Sequence, residues 1–205
     1  MNGYRMRWLR VLVVLFGCWA SPLAVASEPI FLAREAIEQG EGLQALALLE
    51  PMAEAGNIES WYWLGRLYFY DVPGVPRDYR LAAGWFEKAA RAGHADAQYK
   101  LGGMYYAGRG FGQSIPQALT WWRAAAKQGQ AEALNNLGAL LATGTGLERQ
   151  TEFGLALQIL ASRKGSEAAA ENVARKGATD AARQLADTFE KTPARLGEML
   201  DRLVF

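Results

Sequence analysis

The residue types that most often perform chemistry are sparse in this 205-residue sequence, and they are not grouped. His94 is the single histidine, and its place at a turn without obvious partners favours a solvated turn residue over an acid–base catalyst. Asp71 and Asp78 flank a proline-bearing loop, but two carboxylates without further acidic ligands make a poor calcium site. The glycine-rich stretch 108–112 follows a predicted helix and lacks a P-loop lysine, which favours an interhelical turn. The sequence therefore predicts no catalytic residue, no metal site and no cofactor.

The stretch Trp61–Tyr70, WYWLGRLYFY, holds the densest group of side chains suited to binding, with six aromatic residues in ten positions. At about 100° per residue, Trp63, Arg66 and Tyr70 share one side of a helix. Trp61 and Phe69 are interpreted as packing residues. Because Trp, Tyr and Arg most often anchor protein interfaces, we predict that Trp63, Arg66 and Tyr70 form a partner-binding stripe.

The first 26 residues have the layout of a secretory signal peptide. A basic start with three arginines precedes the apolar run Val11–Phe16, and a small-x-small site, residues 24–26, precedes Ser27. The run is shorter than the roughly 18 residues of a spanning helix, and Pro22 interrupts the apolar sequence, which favours cleavage over a retained anchor. We expect a periplasmic or secreted bacterial protein that does not insert into a membrane after cleavage. Lipidation at Cys18, in a lipobox-like sequence, is the alternative.

Charge and cysteine content exclude two further classes of function. Removal of residues 1–26 leaves 19 basic against 21 acidic residues, a net charge of −2. This balance lacks the clustered basic surface that a nucleic-acid partner requires. Cys18 is the single cysteine, so the expected mature chain has neither disulfides nor thiol chemistry.

Three ladders of residues with one period indicate that the chain is built from repeats. A Leu-Gly pair recurs at spacings of 37 and 36, a small residue recurs every 36 residues, and a glycine does the same. The ladders are, in that order, Leu64/Leu101/Leu137, Ala82/Ala118/Gly154 and Gly93/Gly129/Gly165. The one extra residue falls in the loop 71–75, where an insertion costs little.

Each repeat is predicted to be a pair of helices, and no segment shows the alternation of a β-strand. In the central unit, helical spacing covers Ala95–Tyr105, glycines 108–112 break the helix, and Pro116 opens a second helix that Gly129 ends. A single pair of helices cannot bury its apolar faces, so the units are expected to stack.

A glycine stands in the middle of the first helix of each unit, at Gly65, Gly102 and Gly138. Glycine costs about 1 kcal/mol relative to alanine in a helix interior. We therefore expect an adjacent helix to approach closely at these positions.

The central unit, residues 95–130, reads Ala-x-Ala-Gln-Tyr-x-Leu-Gly-x-Met-Tyr-x-x-Gly-x-Gly and then Ala-x-x-Trp-Trp-x-x-Ala-Ala-x-x-Gly. This pattern resembles the Sel1-like repeat, a relative of the tetratricopeptide repeat. Residues 57–94 also fit, and residues 131–166 fit with Leu141 and Leu157 at positions that are usually aromatic. The resemblance implies an all-α fold, a right-handed α/α solenoid of helical hairpins with a C-terminal capping helix.

Incomplete units flank the three repeats. Residues 27–56 would form a leading partial repeat with helices at Phe31–Gln39 and Leu43–Ala55, the second kinked or divided at Pro51. Residues 167–205 would form a degenerate repeat and a capping helix. The apolar residues of that last helix fall at i, i+3, i+4 and i+7 and form one stripe; they are Leu196, Met199, Leu200 and Leu203.

In solenoids of this type the first helices of successive units line the concave surface. The positions that correspond to the stripe are Lys100, Gly103 and Ala107 in the next unit, then Asn136, Ala139 and Thr143. We therefore predict a partner-binding surface of Trp63, Arg66, Tyr70, Lys100 and Asn136 above a floor of small side chains, which would admit a helix or an extended segment. In the alternative, the leading helix covers the stripe with Phe31, Leu32 and Ile37.

The resemblance implies a non-enzymatic, monomeric scaffold, an adaptor or regulator whose partner is a protein or peptide. A second hypothesis is a periplasmic immunity protein that neutralises a delivered bacterial toxin. A third is a β-lactam or cell-wall enzyme, but the Sel1-like proteins described in this way carry a disulfide in each repeat. A seryl enzyme of that kind would also need Ser-x-x-Lys. Ser162 has a lysine at the wrong spacing, and Ser60 and Ser114 have none three residues later.

Overall fold

The structure, a computed structural model, describes residues 22–203. Apart from residues 22–26, the predicted signal peptide lies outside the described residues, and so does Cys18. Eleven helices follow one another over the described range, which contains no strand beyond a single bridge between Val72 and Val75. The helices are α1 (Pro22–Glu38), α2 (Gly42–Glu54), α3 (Ile58–Phe69), α4 (Tyr79–Arg91), α5 (Ala95–Ala107), α6 (Ile115–Lys127), α7 (Ala131–Thr143), α8 (Thr151–Arg163), α9 (Glu167–Lys176), α10 (Asp180–Lys191) and α11 (Pro193–Asp201).

Consecutive helices pack in pairs, and the pairs stack into an α/α solenoid. Within each predicted repeat the first helix packs on the second, in the pairs α3/α4, α5/α6 and α7/α8, and the second helix packs on the first helix of the following pair. The leading pair is α1/α2, and Pro51 lies inside α2 without dividing it. None of the helices within residues 22–203 is long and apolar enough to cross a bilayer.

A repeated polar cap starts the first helix of successive units. The side chains of Asn57, His94, Gln130 and Ser166 each accept a hydrogen bond from the backbone N–H three residues later. Such caps satisfy one of the N–H groups that a helix start leaves unpaired. His94 is therefore a helix cap with 15% of its side chain exposed, and its interpretation as a solvated turn residue is wrong. Sequence position placed it at a turn, but the turn packs against α3.

The mid-helix glycines lie where helices approach closely. A β-carbon on Gly65 would stand 2.6 Å from the ring of Phe86, and one on Gly138 would stand 2.6 Å from the carbonyl oxygen of Gly154. Contacts below 3.0 Å are not available to real β-carbons. The prediction of close approach at these positions is confirmed.

The buried apolar residues form two clusters rather than one. The first runs from Ala33 to Met104, and the second runs from Ala118 to Leu203. The division falls between α5 and α6, and Tyr105 packs against both clusters. The central repeat therefore joins the two halves of the core.

The last helix is docked through its predicted apolar stripe, because Leu196, Leu200 and Leu203 are buried. Helix α11 packs on α10 and also on α6, so the C-terminal segment folds back over the second helices. The guanidinium of Arg123 on α6 donates to the carbonyl oxygens of Leu200 (3.5 Å) and Leu203 (3.3 Å). The carbonyl oxygen of Leu200 also accepts from the N–H of Leu203, so the Arg123 bonds link α6 to the end of α11 and to the residues that follow it.

Candidate functional site

The predicted stripe of Trp63, Arg66 and Tyr70 lies along α3, and its three side chains stack on one another. The guanidinium carbon of Arg66 is 4.4 Å from the centroid of the Trp63 ring and 5.6 Å from that of Tyr70. Trp63 is only 6% exposed, whereas Tyr70 is 40% exposed. Of the two alternatives, an open stripe and one covered by the leading helix, the covered one therefore holds at Trp63, and the accessible surface begins at Arg66 and Tyr70.

The leading helix α1 is the element that covers Trp63. Ala33 and Ala36 of α1 belong to the same core cluster as Trp63, and the guanidinium carbon of Arg34 lies 5.0 Å from the Trp63 ring. Of the three predicted covering residues, Ile37 packs against this cluster, whereas Phe31 and Leu32 are exposed on the outside of the helix. Helix α1 packs on both α2 and α3, and the small side chains of Ala33 and Ala36 are the ones buried in this contact.

A hydrogen-bonded cluster behind Trp63 joins the first and second repeats. The indole N–H of Trp63 donates to Oε1 of Glu59 (2.7 Å), and Oε2 of Glu59 lies 3.1 Å from Nε2 of His94. Nδ1 of His94 accepts from the N–H of Ala97, so Nε2 carries the proton of the neutral imidazole and donates to Glu59. The hydrogen bond from His94 holds the pKa of Glu59 below its ordinary value despite partial burial. The ring of Tyr62 stacks on His94 at 4.5 Å, and burial raises the pKa of Tyr62 to about 12.

Lys100 of the second repeat, which corresponds in register to Trp63, contacts Tyr70 of the first repeat. Nζ of Lys100 donates to the hydroxyl of Tyr70 at 3.2 Å and lies 5.8 Å from the centroid of its ring. We call Arg34, Arg66 and Lys100 the cationic cluster, since all three lie against the rings of Trp63 and Tyr70.

An apolar pocket of about 310 Å³ lies beyond Lys100, between α5 and α7. We call it the apolar pocket. Its lining residues are Gly103, Tyr106, Trp122, Asn136, Ala139 and Leu140. The sequence register predicted Asn136 as a partner-binding residue and Gly103 and Ala139 as positions beside it, and all three line this pocket. The other predicted floor positions, Ala107 and Thr143, do not line the pocket.

Tyr106, Trp122 and Leu140 line the pocket and were not predicted from the sequence. Trp122 belongs to α6, a second helix, and its ring lies 5.3 Å from that of Tyr106. The ring reaches the first-helix face because Gly102 has no side chain in its way. Gly102 was the available signal, since a mid-helix glycine, costly in a helix, indicates close approach of a neighbouring group.

The glycine-rich stretch 108–112 forms the predicted interhelical turn. Gly108 is left-handed and ends α5, with its N–H donating to the carbonyl oxygen of Met104. Gly110 also has a positive φ of 78°, which favours glycine. This turn lines a second, polar cleft of about 680 Å³ with Arg77, Asp78 and Arg80.

The remaining candidates for chemistry are metal-ligand groups and the hydroxyl of Ser60. Within residues 22–203 no group of three His, Cys, Asp or Glu side chains could hold a metal ion. Ser60 is fully buried, and its hydroxyl donates to the carbonyl oxygen of Asn57, so it is engaged in the start of α3.

Stacked helical hairpins with a polar cap at each first helix and a close-approach glycine at its middle define a helical-repeat solenoid. The Sel1 repeat model matches residues 59–94, 95–130 and 131–166, and the chain belongs to the Sel1 repeat family. Sel1 repeat proteins are generally protein-interaction scaffolds and are typically non-catalytic.

Solved structures and one curated relative are similar to this chain. A Sel1 repeat protein from Oxalobacter formigenes superposes with a TM-score of 0.66 at 24% identity. The superposition covers 83% of this chain and 69% of the Oxalobacter chain. A protective antigen of uropathogenic Escherichia coli with an SLR fold has a TM-score of 0.63 at 24% identity, covering 88% of this chain and 41% of its own. At these identities the likeness concerns the fold.

The curated relative is the ERAD-associated E3 ubiquitin-protein ligase component HRD3A of Arabidopsis thaliana. It is 33% identical over 72 residues, which are 35% of this chain. The match spans only 11% of HRD3A, so the relation is one of shared repeats.

Proposed function

We propose that this protein is a non-enzymatic scaffold, an adaptor or regulator, that binds a segment of a partner protein on the face formed by its first helices. In solenoids of this family that face is concave. The observation that carries the proposal is the apolar pocket, which lies on this face where the repeat register placed Gly103, Asn136 and Ala139.

The surroundings of the pocket suit a protein segment better than a small molecule. A volume of about 310 Å³ is at the lower end of ligand pockets and matches one or two large apolar side chains. Tyr106 at its rim and Tyr70 beside Lys100 are 39% and 40% exposed. Exposed aromatic side chains next to a pocket are typical anchors of protein interfaces.

The proposal includes export to the periplasm or the medium, on the basis of the basic start, the apolar run and the small-x-small site before Ser27. Intact-mass measurement of the protein from a bacterial host tests this part. A chain that starts at Ser27 without lipid is expected, and a chain that starts at lipidated Cys18 would replace it with the lipoprotein alternative.

The binding proposal is tested by affinity capture with three baits. These are the wild type, Ala139→Trp and Gln184→Trp. The first variant fills the apolar pocket, and the second introduces the same bulky residue at an exposed position of α10. A partner held by the wild type and by Gln184→Trp, and lost with Ala139→Trp, is the expected result. A partner that all three baits hold equally would show that the pocket is not the binding site.

The identity of the captured partner separates the adaptor role from the immunity role. An immunity protein would hold a toxin that is delivered into the same compartment, and its loss would make cells sensitive to that toxin. A resident protein of the envelope would support the adaptor or regulator.

A further inference from the structure

We infer that the partner segment is acidic: it presents a carboxylate to the cationic cluster and places a neighbouring apolar side chain in the apolar pocket. This inference rests on the proposed function and adds the chemical class of the partner.

The three cations come from three helices and converge on one pair of rings. Arg34 of α1 and Arg66 of α3 lie 5.0 and 4.4 Å from the centroid of the Trp63 ring. Arg66 and Lys100 of α5 lie 5.6 and 5.8 Å from that of Tyr70. Since Arg66 contacts both rings, the three charges occupy one continuous patch of the surface.

No carboxylate in the described part of the chain forms an ion pair with the cationic cluster, although ion pairs occur elsewhere. On the second helices, Arg91 pairs with Glu87 and Arg163 pairs with Asp187 and Glu190. Glu59 interacts electrostatically with Arg34, but both of its carboxylate oxygens already bond to Trp63 and His94.

The guanidinium of Arg66 is oriented by the neighbouring rings, and its hydrogen-bonding capacity is not filled by the described residues. Its Nε is buried without a hydrogen-bond partner among the described residues. Stacking on Trp63 fixes the plane of the guanidinium, whose terminal N–H groups match the geometry of a carboxylate. A carboxylate at this place would also relieve the repulsion among three like charges.

The cationic cluster and the apolar pocket form one surface. Lys100 of the cluster and Gly103 of the pocket are three residues apart on α5, so they lie on the same face one turn apart. A segment that crosses this face meets charge first and an apolar cavity next. Its expected composition is one or more Asp or Glu residues beside Leu, Ile, Phe or a similar side chain.

The experiment selects binding peptides without assuming a sequence. A random dodecapeptide library is panned on three immobilised proteins: the wild type, R34Q/K100Q, and R195Q/K191Q. The first double variant removes two cations of the cluster, and the second removes two exposed cations from α10 and α11 with the same change in charge. Urea unfolding of each variant confirms that it is folded.

The wild type and R195Q/K191Q are expected to select peptides enriched in Asp and Glu beside apolar residues. A synthetic selected peptide should bind R34Q/K100Q at least about tenfold more weakly, and its affinity for the wild type should fall with rising salt. Ala139→Trp should also weaken its binding.

Three other outcomes would contradict the acidic segment, the binding face or both. Peptides that depend on Ala139 but show no acidic enrichment would overturn the acidic partner and leave the proposed function standing. Selection of no peptide that depends on Ala139 would overturn both. A dimer in sedimentation that R34Q/K100Q abolishes would make a second copy the occupant of the face and overturn the acidic segment.

Discussion

Gly102 and Trp122 are in closer contact than any side chain at position 102 would allow. A β-carbon on Gly102 would stand 2.5 Å from Cδ1 of Trp122. The indole N–H of Trp122 donates to the carbonyl oxygen of Tyr99 at 3.1 Å, which ties the second helix of the central repeat to the first. The same ring then lines the apolar pocket, so the packing inside one repeat shapes the surface that we assign to binding.

Replacing Gly102 by alanine is expected to destabilise the protein, although alanine favours helices. The added methyl group must displace the Trp122 ring, and overpacking of this kind costs about 1–3 kcal/mol. Gly103→Ala is the matched control, because nothing lies within 4 Å of a β-carbon there. That variant should be more stable than the wild type by up to about 1 kcal/mol. Urea unfolding of both variants tests the pair, and equal effects would contradict the contact.

Trp63→Ala is expected to unfold far more easily than Tyr70→Ala. Trp63 is 6% exposed and its indole N–H bonds to Glu59, so its loss should cost about 3–5 kcal/mol. Tyr70 is 40% exposed, and truncation there should change stability by no more than about 0.5 kcal/mol. Urea melts of the two variants measure the difference. Equal stabilities would mean that α1 does not cover Trp63.

Trp61→Ala provides a second comparison, since its indole N–H donates to the carbonyl oxygen of Ala53 on α2. We expect it to destabilise as well, because the bond links the leading pair of helices to the first repeat.

The repeats could be predicted from the sequence because their signals are local and recur. The period, the mid-helix glycines and the turn at 108–112 each follow from spacing alone. The burial of Trp63 could not be predicted in the same way. A helical wheel shows which side of α3 Trp63 occupies, but the packing of α1 on that side depends on a tertiary contact outside the repeat. Trp122 was missed for a related reason, since it reaches the pocket from a second helix.

Leu200→Asp is expected to lower the melting temperature clearly. Leu200 is fully buried where α11 packs on α10 and α6, and an unpaired carboxylate is costly there. Ala194→Asp places the same charge at an exposed position of the same helix and should have little effect. A wild-type melting temperature for the Leu200→Asp variant would show that α11 is not docked.

The contribution of Glu59 to stability is expected to depend on pH. Its pKa is lowered in the folded protein, chiefly by the hydrogen bond with His94, so its ionised form stabilises the fold above the ordinary value of 4.5. This stabilisation is lost as the pH falls through the lowered pKa. The gap in unfolding free energy between the wild type and Glu59→Gln should therefore narrow below pH 4.5. Urea melts at pH 7, 5, 4 and 3 measure this gap, and a gap that stays constant would contradict the assigned role.

The most direct measurement of the central claim, that the first-helix face binds the partner, is photo-crosslinking in the living cell. A benzoylphenylalanine residue replaces Asn136, which lines the apolar pocket, or Gln184, which is exposed on α10. A crosslinked protein of discrete mass is expected from position 136 and none from position 184. A crosslink from position 184 alone would place the interaction on the second-helix face and contradict binding at the first-helix face.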